Sequence, residues 1–281
     1  MIKTVFAAIA SSSRTLFGFW RALLILALLY GAMLAAIYEF FATREATAGE
    51  LLLSLILAVL PVVFFFVLQT LAARFIEMRG HAKSLIFTSL RDFWKLLLVS
   101  LPLIAVIGGL AYLLSLVNVG PEQPVLSPPP RSATTKPAPI HWPSVALAAT
   151  QYLLLYLILP LVLIHFWIVT SRGGVTAAVK TAGRTLARAL GSPSVLTYVI
   201  GFLFFGVAPY FLLFHKTEAS STWIDIGLFS GRLALAVLMS LIAWTITVGA
   251  LVELNRRQGQ TTLREGYADV PEGPEHAPAG P

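Results

Sequence analysis

Six stretches of this chain run apolar for about 20 residues or more, the length at which an α-helix crosses the roughly 30 Å hydrocarbon core of a bilayer. They fall near residues 19–41, 51–73, 96–117, 144–170, 195–214 and 233–254. The second, third and fifth hold no acidic, basic or histidine side chain, and the fourth holds only His165. A backbone inside lipid must pair its own N–H and C=O groups, so a continuous apolar run reads as helix. A barrel strand would instead alternate over about ten residues. The predicted fold class is all-α, a polytopic membrane protein with six transmembrane helices. Composition agrees: 57% of the 281 residues are hydrophobic and 12% are charged. That is about half the roughly 25% charge of a soluble domain, which excludes a soluble globular enzyme, a disordered chain and a coiled coil.

The charges that remain are placed unevenly. Lys3, Arg14, Arg21, Arg74, Arg79, Lys83, Arg91, Lys95, Arg172, Lys180, Arg184, Arg188, Arg256, Arg257 and Arg264 fall on one side of the alternating spans. Arg44, Arg131, Lys136 and Lys216 fall on the other, with Arg232 at the start of span six. Cations concentrate on the cytoplasmic side, so both termini are predicted to be cytoplasmic, in a multi-pass protein of the cytoplasmic (inner) membrane. The net charge of +7 is explained by this asymmetry, and no nucleic-acid partner is expected. Trp20, Trp94, Trp142, Trp167 and Trp223 lie at or near span ends, as headgroup-level indoles do, while Trp244 is mid-span. Near the N-terminus, Ile2, Val5, Phe6 and Ile9 share a helical face, which predicts an interfacial segment over residues 2–12 rather than a cleaved signal.

The connections differ in character. Residues 118–143 hold eight prolines and read as an extended extracytoplasmic linker joining two halves. Residues 1–254 form a single membrane domain, and the polar tail, 255–281, is expected to be disordered. Residues 82–95 place Ala82, Leu85, Ile86, Leu90 and Phe93 on one helical face, and residues 175–190 do the same with Val175, Val179, Ala182, Leu186 and Leu190. Lys180, Arg184 and Arg188 recur every four residues; Arg79, Lys83, Arg91 and Lys95 keep the same spacing with one interruption. Both segments read as basic interfacial helices that bind anionic lipid headgroups, or as solvated basic faces kept for topology. The two also align: Lys83 with Lys180, Ser84 with Thr181, Thr88 with Thr185, Arg91 with Arg188, and upstream Pro61 with Pro160 and Arg74 with Arg172. An internal repeat is predicted, with copies at about 51–117 and 144–214.

Few residues suit chemistry. His165 reads as a neutral imidazole bonded to a neighbouring helix, or as a proton relay or metal ligand if a partner joins it. Gln69 and His165 are the polar groups that a cavity between the repeats would expose. Arg232 and Asp225 lie on roughly one helical face, as an interfacial anchor or an outer anion site. Pro61, Pro102, Pro160 and Pro209 lie within spans and predict kinks. The chain has no cysteine, no HExxH, no GxSxG and no Walker loop, so no enzyme, no cofactor and no metal site are expected.

LRDFWKLLL at 90–98, a basic amphipathic helix passing through an aromatic pair into a span, resembles a feature of some bacterial six-helix membrane proteins. These families are similar to the membrane domain attached to some glycerophosphodiester phosphodiesterases. The resemblance covers roughly residues 50–254. In the second copy Gly191, Ser192 and Pro193 replace the aromatic pair. No phosphodiesterase catalytic domain is present, so only a bacterial inner-membrane location is implied. The expected function is non-catalytic: engagement of anionic lipids or a partner membrane protein through the basic helices. The alternative is a small transporter or channel with its pathway between the repeats.

Overall fold

A computed structural model describes residues 1–43, 47–76, 82–118, 142–215 and 222–268. These residues are helical almost throughout, with no strand among them. Among the described residues, six stretches are long and apolar enough to cross a membrane. The chain is a polytopic integral membrane protein.

Helix α1 (Ile2–Gly18) ends at Phe19, whose non-helical backbone turns the chain into the first span, α2 (Trp20–Ala42). Span two is α3 (Ala48–Arg74). Its start is set by a capping box: Thr47 Oγ1 accepts the Glu50 N–H at 3.2 Å, and the Glu50 carboxylate accepts the Thr47 N–H at 2.8 Å. Span three is α4 (Ala82–Asn118), which packs between α3 and α6. Span four consists of α5 (Trp142–Leu153), a π-helical turn at Leu154–Ile158, and α6 (Leu159–Lys180). Helix α7 (Ala182–Ala189) leads to span five: α8 (Ser192–Phe202), a second π turn at Leu203–Val207, and α9 (Ala208–Phe214). Span six is α10 (Thr222–Ala268), which runs against α1, α8 and α9.

Both π turns end next to a proline. Pro160 and Pro209 have no N–H, so the carbonyls of Tyr156 and Phe205, four residues back, lose their normal partner. A hydroxyl from another helix takes each place. Tyr198 donates to the Tyr156 carbonyl at 3.0 Å, and Ser240 donates to the Phe205 carbonyl at 3.0 Å. A polar hydrogen bond thus ties each break to a neighbouring span.

Several expectations are corrected. The basic segment 82–95 is not a separate interfacial helix; it is the opening of the 37-residue α4. At 1.5 Å per residue that helix is about 55 Å long, well beyond the hydrocarbon core. Its packed face is Leu85, Ser89, Asp92 and Leu96, one position removed from the face predicted, so Leu90 is exposed instead. Trp167 belongs to no headgroup belt: it is buried, and its indole donates to Ser100 Oγ at 2.8 Å. The tail is helical to Ala268, since α10 continues through residues 255–268. The packed face of α1 is Val5, Ala8, Ser12 and Leu16, and Ile2 and Phe6 are exposed. The proline-rich linker at residues 119–141, residues 269–281, Arg44, Arg79, Arg131, Lys136 and Lys216 lie outside the described residues.

Candidate functional site

Residues 175–190 best fit the expected interfacial helix but are not one helix: α6 runs to Lys180, and Thr181, with φ −104° and ψ 13°, separates it from α7. Span four breaks at Gly174, whose φ of 76° lies in the left-handed region that glycine adopts without strain. Beyond Gly174, Ala178 at the end of α6 and Thr185 and Ala189 on α7 are buried, small enough for both pieces to lie close against the bundle. Val179, Leu186 and Leu190 are exposed on a second side. Lys180 and Arg184 are exposed on a third. Arg188 turns inward: it is half-buried and donates to Asn255 Oδ1 at 3.1 Å.

The expected basic residues therefore divide. Lys83, Arg91, Lys180 and Arg184 are exposed. Lys95 and Arg188 are engaged within the protein, and Arg79 lies outside the described residues. Lys95 pairs with Asp92 at 2.7 Å, and Arg74 reaches the other Asp92 oxygen at 2.8 Å. Arg74 also donates to the Ser171 carbonyl on α6. Asp92 is only 2% exposed. This cluster joins α3, α4 and α6 at the basic end of the bundle, and no periodicity in the sequence announces it. Arg74 Nε, Ser89 Oγ and Thr170 Oγ1 are buried there without a hydrogen-bond partner among the described residues. A second acidic anchor is Glu253, also buried, which accepts from Arg256 at 2.9 and 3.0 Å and from Arg257 at 2.9 Å.

Gln69 and His165 are not brought together. His165 is buried, with Nδ1 2.9 Å from the Leu161 carbonyl and Nε2 3.2 Å from Ser194 Oγ. A carbonyl only accepts, so Nδ1 carries the proton, and a neutral ring then accepts the Ser194 hydroxyl at Nε2. Gln69 faces a partly open cavity of about 510 Å³ between α2, α3, α6, α8 and α10. Its amide oxygen accepts the Trp244 indole N–H at 2.9 Å. Pro160, Tyr198, Phe205 and Ser240 line the same cavity, so the second π turn and the proline that follows the first both border it. π turns often occur at functional sites.

Comparison with family models, curated proteins and solved structures finds no match for this chain. Among the described residues, no group of three His, Asp or Glu side chains could hold a metal ion. Arg232 donates to the His215 carbonyl at 2.7 Å, so it closes the end of α9 against α10. The Arg74–Asp92 pair and the Gln69–Trp244 pair were both missed in sequence, because each joins residues on different helices.

Proposed function

We propose that this chain is a non-catalytic protein of the bacterial cytoplasmic membrane that holds anionic phospholipid headgroups at its basic end. One observation carries the reading: the segment after Gly174 presents exposed apolar side chains beside exposed Lys180 and Arg184 while its small residues fix it to the bundle. A helix with that division lies in the interface, with Leu186 and Leu190 among the acyl chains and the cations at phosphate level. Lys83 and Arg91, exposed on α4, offer a second contact of the same kind. A partner membrane protein with an acidic face would use the same side chains.

Each cation near an anionic surface contributes on the order of 1 kcal/mol, so Lys180 and Arg184 together contribute about 2 kcal/mol. The variant K180Q/R184Q is expected to retain anionic lipid about 30-fold less well in native mass spectrometry, with zwitterionic lipid unaffected. Unchanged retention would overturn the reading. Arg188 is left intact in that variant because its bond to Asn255 gives it a packing role. Transport of a polar solute has less support. The central cavity reaches Gln69 but not His165, and its walls are mostly Leu, Phe, Trp and Pro side chains.

A further inference from the structure

The central cavity has the form of a binding site for a lipid-soluble ring compound. Its volume of about 510 Å³ falls within the roughly 300–1,000 Å³ of small-molecule pockets. Tyr30, Phe65, Trp167, Tyr198, Phe205 and Trp244 supply its aromatic walls. Phe205 meets Trp244 edge to face at 5.1 Å. Such walls favour a flat ring over a flexible chain, because aromatic surfaces gain from stacked and edge contacts.

One polar group is placed among them. Gln69 is 5% exposed and lines the cavity. The Trp244 indole can only donate, so the Gln69 oxygen must face it, and the assignment of the amide is fixed. The amide NH2 is left with no hydrogen-bond partner among the described residues. A donor facing a cavity at this depth in the hydrocarbon layer lacks bulk water as a partner, and a ligand carbonyl would satisfy it. Tyr30 brings a second donor to the same space.

Depth selects among carbonyl compounds. Gln69 lies five residues from Arg74, about 7–8 Å further along α3. Phospholipid ester carbonyls sit at the edge of the hydrocarbon layer, above that level. A carbonyl on an apolar ring reaches it. Phe65 lines the cavity and is also 38% exposed, so the cavity borders the bilayer there.

We propose that the cavity binds a quinone-class molecule: a planar, apolar, carbonyl-bearing ring on a hydrocarbon tail, with one carbonyl accepting from Gln69. No electron transfer is implied. The proposal is independent of headgroup binding at Lys180 and Arg184, which lie outside the cavity.

The test uses the full chain in phospholipid nanodiscs, titrated with 2-decyl-1,4-benzoquinone. Trp167 and Trp244 line the cavity and report binding by quenched emission. Saturable quenching is expected, and an excess of decane should not compete. The variant Q69L/W244F removes both members of the hydrogen-bonded pair, leaving no stranded polar group, and should bind about tenfold more weakly. The single variant W244F keeps the Gln69 amide and the Trp167 reporter and should bind within about twofold of the parent. Ala72 also lines the cavity, and Ala72→Phe should abolish saturation by filling it. The proposal is overturned if quenching does not saturate, if decane competes equally, or if Q69L/W244F binds as tightly as W244F.

Discussion

Three cations approach one carboxylate at Asp92: Arg74 at 2.8 Å, Lys95 at 2.7 Å and Arg91 at 3.6 Å. Only Arg91 is well exposed, so its contact is screened and contributes little. The Arg74–Asp92 contact is different, because both side chains are largely buried. Asp92→Asn would leave the Arg74 charge with no counter-ion at this site and should destabilise the folded protein by about 3 kcal/mol. Arg91→Gln should change stability by less than about 1 kcal/mol. Unfolding in detergent, followed by helical circular dichroism, separates the two; equal effects would assign Asp92 no clamping role. Asp92 was hard to read in sequence because it is the one acid in a segment read for its basic and apolar faces, and its buried partner Arg74 is 18 residues away. The Gln69–Trp244 bond spans 175 residues, and hydropathy carries no trace of it. His165, by contrast, was legible: an isolated imidazole among apolar residues needs a neighbouring helix, and Ser194 supplies it.

At the scale of the element, six spans were legible because each buries or offers to lipid some 20 apolar residues, a signal that local composition carries in full. The π turns were not. One inserted residue changes the helical phase without changing hydropathy, and a proline alone predicts only a kink. Pro61 shows the difference, since α3 remains regular around it. The prolines that the repeat alignment pairs, Pro61 and Pro160, therefore differ in local geometry. Tyr198→Phe should cost about 1–2 kcal/mol by leaving the Tyr156 carbonyl unpaired. In a Pro160→Ala background the backbone regains a donor, and the same change should cost under about 0.5 kcal/mol. A double-mutant cycle on thermal unfolding measures this, and additive effects would refute the coupling. The boundaries of α4 and α10 were also illegible, because their polar extensions carry none of the apolar signal that ends a span.

For the whole molecule, orientation rests on the distribution of Lys and Arg rather than on the packing of the helices. Fusion of a periplasm-dependent phosphatase to either terminus should give no activity, and a fluorescent protein at the same sites should fluoresce. An active phosphatase at either end would reverse the topology. Among the described residues the apolar core has three clusters. One is shared by α1, α3, α4, α6, α8 and α10, a second by α1, α2, α3, α4 and α10, and a third by α4, α6 and α7. Helices α1, α3, α4 and α10 belong to both of the first two, so they hold those clusters together. Spans four and five are each interrupted by a π turn beside a proline, whereas α10 contains no proline in its 47 residues. It is held near its start by Arg232 and at its middle by Ser12, which donates to the Ile246 carbonyl at 2.9 Å. From Trp244 to Ala268 it runs about 36 Å at 1.5 Å per residue. A pivot of about 5° beside the cavity would sweep the tip through about 3 Å over that length. Val248, Ala250, Leu251, Val252 and Leu254 are buried in the same cluster as Trp167, so the packing beyond Trp244 resists such a pivot and keeps the far end of the helix in line with the cavity wall.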